Sequence, residues 1–177
     1  MRFIETPLEG VALIELEPFS DERGSFSRVF CDDEFTRAGI AMHVRQANLS
    51  RNPHALTLRG LHYQKAPHGE SKLVQCIHGR IFDVAVDLRP HSPSYQRWFG
   101  TELAPDLRRM LFIPDGCAHG FLTLEDASDV IYLVDQPYNP VAERGVRWND
   151  PTFDIAWPAT PRILSSRDGS HPDFGPA

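Results

Sequence analysis

At 177 residues the chain is long enough to bury a core and short enough to be read as one domain spanning 1–177. It is 41% hydrophobic and 24% charged with a net charge of −6, so disorder, a fibrous repeat and sequence-independent nucleic-acid binding are all disfavoured. Three cysteines without a CxxC pair support neither a disulfide scaffold nor structural zinc, and no apolar run has the length of a membrane span or the form of a secretory leader. The expectation is a cytoplasmic protein with no nucleic-acid or membrane partner.

In chain order, residues 11–16 and 24–30 read as strands flanking a turn at Ser20-Asp21-Glu22-Arg23-Gly24. Asp32 is placed to cap a short helix over 33–38, which Gly39 ends. Strands are then predicted over 43–49, 56–64, 72–78, 81–88, 97–103, 109–113, 119–124 and 129–135. Ile77-His78-Gly79-Arg80-Ile81 reads as a hairpin turn joining two of them. Within 81–88, Phe82, Val84, Val86 and Leu88 alternate with Ile81, Asp83, Ala85 and Asp87, the period of two that marks a strand. Short strands at close spacing, with no sustained helical period, favour an all-β jelly roll (a double-stranded β-helix) with a ligand cavity between its sheets. An immunoglobulin sandwich lacks its Cys-Trp-Cys spacing here. The tail after Trp157, rich in Pro, Ser, Asp and Gly, is expected to pack as coil with one short helical turn.

Two segments carry chemistry. Arg59-Gly60-Leu61-His62-Tyr63-Gln64 sets a planar cation and a titratable imidazole on one strand, and Lys72 opens the next. A cation, a base and a second cation in adjacent strands suit an anionic substrate and proton transfer. Pro114-Asp115-Gly116-Cys117-Ala118-His119 is the PxGxxH turn-plus-strand motif of cupin-like jelly rolls, with the histidine entering the barrel. Metal-binding cupins pair it with two closely spaced histidines, but His62-Tyr63-Gln64 supplies only one. A set of His62, His119 and Glu70 is conceivable and disfavoured, so no metal is expected. Taken singly, His62 reads as a hydrogen-bonded strand residue, Tyr132 as core, Lys72 as a strand-edge charge and Asp168 as a solvated tail residue. Arg23, Gln46, Asn48 and Glu143 read equally well as turn or surface polarity.

Together these motifs resemble the dTDP-4-dehydrorhamnose 3,5-epimerase family, from about Ile14 to Asp168. The resemblance rests on the joint order of Asp21-Glu22-Arg23-Gly24, Arg59 to Gln64, Lys72-Leu73-Val74, Phe82 to Arg89, Ser92-Pro93-Ser94-Tyr95, Ile113 to Phe121, Tyr132, Tyr138-Asn139-Pro140, Trp148-Asn149-Asp150-Pro151 and Trp157-Pro158. It implies a cupin-like homodimer with short peripheral helices, no metal and no organic cofactor. The implied activity is inversion at C3, C5 or both of a nucleotide-diphosphate 4-keto-6-deoxy sugar, through an enolate, in deoxysugar biosynthesis. By the same resemblance His62 is the base, Asp168 orients it, Tyr132 returns a proton from the opposite face and Lys72 binds the oxyanion. Arg23, Arg59, Gln46, Asn48 and Glu143 match nucleotide-contacting positions, His119 a sugar-pocket position, and Tyr138 an aromatic stacked on the base. Arg28 replaces a usual glutamate beside the expected nucleotide site, Ala47 a common aspartate, and Arg167, also assigned to substrate binding, a frequent lysine. The rival readings are a single-site epimerase, a metal-dependent cupin enzyme and a non-catalytic sugar-nucleotide binding module.

Overall fold

In the computed structural model, which describes residues 1–175, most strands lie in two antiparallel sheets. The six-stranded sheet runs β1 (Arg2–Glu5), β2 (Ala12–Glu15), β10 (Arg109–Ile113), β7 (Lys72–His78), β12 (Ser128–Val134) and β5 (Gln46–Asn52). The five-stranded sheet runs β13 (Glu143–Gly145), β6 (Leu58–Gln64), β11 (Cys117–Thr123), β8 (Ile81–Asp87) and β9 (Trp98–Leu103). A separate ribbon pairs β3 (Phe19–Asp21) with β4 (Gly24–Phe26), and two short helices complete the chain, α1 (Asp32–Arg37) and α2 (Ser166–Gly169). This is the jelly roll that the strand pattern predicts.

Three apolar clusters hold the layers. Val74, Ile81, Ala85, Leu111, Phe121 and Val130 belong to the cluster shared by the two sheets. Outside the six-stranded sheet, Phe35 of α1 is fully buried with Ile14, Leu73 and Met110. It sits edge-on to Phe3 with ring centroids 5.2 Å apart; burial of one such ring contributes about 3 kcal/mol. Outside the five-stranded sheet, Val84 and Val86 pack with Val146, Phe153 and Trp157 of the C-terminal segment. Both faces of β8 are therefore covered, and its alternation separates two cores rather than core from solvent.

Several elements depart from the sequence reading. The turn after Ile77 is not a hairpin: β7 pairs with β10 and β12, while β8 pairs with β9 and β11 in the other sheet. Gly79 takes φ +69° to carry the chain across. Turn residues encode the reversal of direction, but whether the next strand lies beside or opposite is decided by partners outside the turn. The strand expected over 24–30 stops at Phe26, where its partner β3 runs out at Phe19. The strand expected over 43–49 is shifted to β5, in register with β12. Cys31, not Asp32, is the N-cap of α1, without a side-chain bond; Asp32, Asp33 and Glu34 occupy its first turn, where carboxylates favour the helix dipole.

One close approach aligns the strands that carry the histidines. A Cβ on Gly60 would lie 2.5 Å from the Gly120 Cα, and one on Gly120 would lie 2.7 Å from the Arg59 carbonyl oxygen. Both contacts are backbone, so neither can yield without moving β6 against β11. This packing accompanies the register shift after His119 and holds His62 directly across from His119. Gly120→Ala is expected to cost about 3 kcal/mol or more in urea unfolding and to lower activity with it.

Asp87 closes the β8–β9 connection. Its buried carboxylate accepts hydrogen bonds from the Arg89 Nε and Nη2, both at 2.8 Å, and from the Ser92 and Ser94 hydroxyls. Burial opposes the charge, but these donors prevail and hold the pKa down at about 2. The folded value lies below the unfolded one, so the stabilisation is complete above about pH 4 and is lost as pH falls through about 2. Asp87→Asn is expected to remove on the order of 2 kcal/mol and to flatten the acid limb of stability, read from denaturation midpoints across that range.

Candidate active site

A cavity of about 830 Å³ opens between the sheets. Strand β6 contributes Arg59 and His62, and β11 contributes His119. From the opposite sheet come Lys72 on β7, Tyr132 on β12, and Gln46 and Asn48 on β5. Tyr138 and Glu143 enter from the segment following β12 and from β13, and Arg167 and Asp168 from α2. Arg51, Arg59, Lys72 and Arg167 outnumber the lining carboxylates Glu70, Glu143 and Asp168, so an acidic chain presents a locally cationic cavity.

His62 Nε2 lies 2.7 Å from Asp168 Oδ1. The other carboxylate oxygen accepts the Gly60 N–H at 3.3 Å, and the Asp168 N–H donates to Ser165 Oγ at 3.0 Å, the cap that orients α2. Burial works to raise the Asp168 pKa; His62, the Gly60 amide and Ser165 outweigh it and hold it below the usual carboxylate value. With a carboxylate on Nε2, the proton of neutral His62 resides there and the lone pair resides on Nδ1. Across β11 and β8, His119 Nε2 pairs with the fully buried Asp83 at 2.7 Å.

Lys72 is almost fully buried. It donates to the His62 carbonyl oxygen at 3.1 Å and pairs with Glu70 at 3.0 Å, which leaves a third N–H for the cavity. Glu70, the expected member of the disfavoured metal set, is thus tied to Lys72 and to the Gln64 amide. Tyr132 is half-buried, and no hydrogen bond engages its hydroxyl among the described residues. Burial first, then Glu70, raises its pKa, with Arg59 opposing, so the phenol holds its proton.

At the mouth, Tyr138 donates to Glu143 Oε2, which also pairs with Arg167 at 2.9 Å, and Gln46 Oε1 accepts the Tyr138 N–H at 2.7 Å. Arg59 donates through Nε to Asn52 at 2.7 Å, leaving its two terminal nitrogens for a ligand. Arg23 and Arg28 do not line this cavity. Arg23 pairs with Asp21 at the tip of the β3–β4 ribbon, and Arg28 with Glu34 of α1 at 3.0 Å. The residues the sequence reading missed are those that hold others, Asp83, Glu70 in its pairing with Lys72 and Asn52, together with His171, which lies beside His62 without a bond to it. A carboxylate at the inward position of β8, in step with Ile81 and Ala85, was a signal for Asp83. Nothing local marks the others.

Comparison with known proteins agrees over nearly the full length. The sequence profile of dTDP-4-dehydrorhamnose 3,5-epimerase matches residues 5–175. The enzyme of that name from Methanothermobacter thermautotrophicus is 45% identical over 171 residues, 94% of this chain and 91% of the relative. A dTDP-4-dehydrorhamnose 3-epimerase from Streptomyces niveus is 39% identical over 169 residues, 95% of this chain and 81% of the relative. The crystal structure of the 3,5-epimerase from Bacillus anthracis, with TDP and PPi bound, superposes with a TM-score of 0.94 at 40% identity, over 98% of this chain and 99% of that one. Agreement of sequence and fold over this span places the chain in the dTDP-4-dehydrorhamnose 3,5-epimerase family, an isomerase that epimerises 4-keto-6-deoxy sugars.

Proposed function

We propose that the substrate is a dTDP-4-keto-6-deoxy sugar and that the enzyme inverts both C3 and C5. The observation that carries this reading is the arrangement of the cavity. A carboxylate-backed imidazole stands on one sheet and a protonated tyrosine on the facing sheet, with a buried ammonium between strands of the same cavity. The C–H bonds at C3 and C5 are acidified by the C4 carbonyl they flank. His62 Nδ1 removes one such proton, the electron pair moves into the ring carbonyl, and the Lys72 ammonium stabilises the enolate oxygen. Tyr132 then delivers its proton to the same carbon from the other face. Imidazolium and phenolate return to their starting forms by exchange with solvent, and the cycle repeats at the second carbon. Neither a metal nor an organic cofactor has a part in this scheme.

Arg59 and Arg167 offer planar forks for the diphosphate, and Tyr138 a ring for the base. Arg28 is engaged with Glu34, outside the cavity, so its reversal of the family charge does not alter the surface a nucleotide would meet in its own chain. A binding panel of thymidine, uridine, cytidine and guanosine diphosphate sugars tests the base, with tightest binding of the thymidine compound expected; a purine preference would overturn it. Deuterium incorporation from D2O tests the inversion: label at both C3 and C5 is expected, and label at one carbon alone would establish a single-site epimerase.

The protein is further proposed to act as a cytoplasmic homodimer. Every residue of β3 and β4 is exposed, with Phe19 and Phe26 at 72% and 71%, so the ribbon offers an apolar pair suited to a second copy and carries Arg23 at its tip. Sedimentation at twice the chain mass is expected, and Phe19→Ser with Phe26→Ser should shift it toward the monomer.

A further inference from the structure

His171 lies outside the roles above, yet it stands beside the base. Its ring meets that of His62 edge-on, centroids 6.3 Å apart at 76°. Its Nε2 is buried and has no hydrogen-bond partner among the described residues. It rests against Gly145, where any Cβ would come within 2.2 Å of that nitrogen, and Gly145 is the cross-strand neighbour of His62. One donor atom each from His62, Asp168 and His171 lies within 4.8 Å of the others. A buried imidazole nitrogen left unpaired carries a desolvation cost that a bound ion would offset.

We infer that His62, Asp168 and His171 form an inhibitory site for a zinc-like divalent transition ion. Two imidazoles and a carboxylate are borderline nitrogen and hard oxygen donors, the set that Zn2+, Co2+ and Ni2+ favour over Mg2+ or Ca2+. Metal–nitrogen bonds of about 2.0–2.1 Å require His171 to draw toward the His62–Asp168 pair, which opens from its 2.7 Å hydrogen bond to admit the ion. His171 lies on the coil just past α2 rather than on a strand, so its ring can move without a strand of its own having to shift. The ion takes the Nε2 lone pair of His62 in place of the hydrogen bond to Asp168. Neutral imidazole then carries its proton on Nδ1, the nitrogen assigned above as the base, so no lone pair remains to accept a proton from the sugar. Binding consumes no oxidant and changes no covalent bond; it moves one proton between ring nitrogens.

The inference rests on the assignment of His62 as base, and the test separates the two. Binding is read by Co2+ absorption and by Zn2+ competition; inhibition is read by turnover under the same conditions. The variants are His171→Ala and His171→Gln, both expected to keep basal turnover. In the wild type, Zn2+ is expected to suppress turnover, chelator to restore it, and millimolar Mg2+ to have no effect. Both variants should bind Co2+ and respond to Zn2+ at least about tenfold more weakly. Equal metal affinity in wild type and both variants would overturn the site. Binding that depends on His171 but leaves turnover untouched would overturn the inhibitory role, and proton exchange in His62→Ala then decides separately whether His62 is the base.

Discussion

His62→Ala is expected to lower turnover by about 10³–10⁴-fold and to abolish exchange of the C3 and C5 protons with D2O. The loss follows from the position of the ring rather than from its presence alone. Asp168 fixes Nε2 as the protonated nitrogen, and the Gly60 amide and the Ser165 cap fix Asp168. The imidazolium formed on abstraction is then stabilised by a charge that burial has already brought into place. His62 is one-third exposed, so truncation leaves no sealed void, and the variant should fold with an unchanged circular dichroism spectrum and retain binding of the nucleotide portion. Asp168→Asn keeps an oxygen for the ring N–H but removes the charge, so its defect should be confined to turnover and be smaller than that of His62→Ala. Proton exchange surviving in His62→Ala at wild-type rate would refute the assignment, as would turnover within tenfold of wild type. A non-catalytic binding module predicts no turnover in the wild type and unchanged sugar-nucleotide affinity and biological effect in His62→Ala, so wild-type turnover that collapses in the variant separates the enzyme from its rival of another class.

What the chain discloses locally differs from what only the fold discloses. Strands β7 and β10 match their predicted ranges residue for residue, because apolar runs bounded by Gly and Pro leave little freedom at their ends. The change of sheet at Gly79 was illegible, since turn chemistry does not encode the identity of the next partner. His62, Lys72 and Tyr132 could be singled out because a polar side chain within a strand pattern is conspicuous. Asp168 could not be on its own terms: it sits in a polar tail that reads as solvated, yet it is 5% exposed once α2 docks on β6. His171 is hidden for the same reason, and Asn52 because its partner Arg59 lies beyond an intervening turn. Arg23 and Arg28 show the converse. Their charge suggested a place at the nucleotide, while in the fold each is neutralised by a neighbour near in sequence and stands away from the cavity.

Tyr132→Phe should separate proton removal from inversion. His62 and Lys72 remain, so the enolate still forms, and the proton released to solvent is replaced by deuterium on the face from which it left. Wash-in at C3 or C5 is therefore expected to continue within about tenfold of the wild-type rate, while inverted product falls by about 10²–10⁴-fold, the range for loss of a positioned acid. The variant should fold normally: the phenol is half-buried and no hydrogen bond to the protein is lost with its oxygen, so little stability is at stake. The wild-type acid should also persist into alkaline solution. Burial and Glu70 raise the Tyr132 pKa above the ordinary phenol value of 10.0, so it is the acid, the protonated form, that prevails at and above neutral pH. Any alkaline fall in turnover due to this residue belongs above about pH 10 and should vanish from the residual exchange of the phenylalanine variant. Simultaneous loss of exchange and inversion would assign Tyr132 to proton removal instead. Retention of inversion would place the second proton donor elsewhere in the cavity, with His119 on its buried Asp83 as the next group to replace.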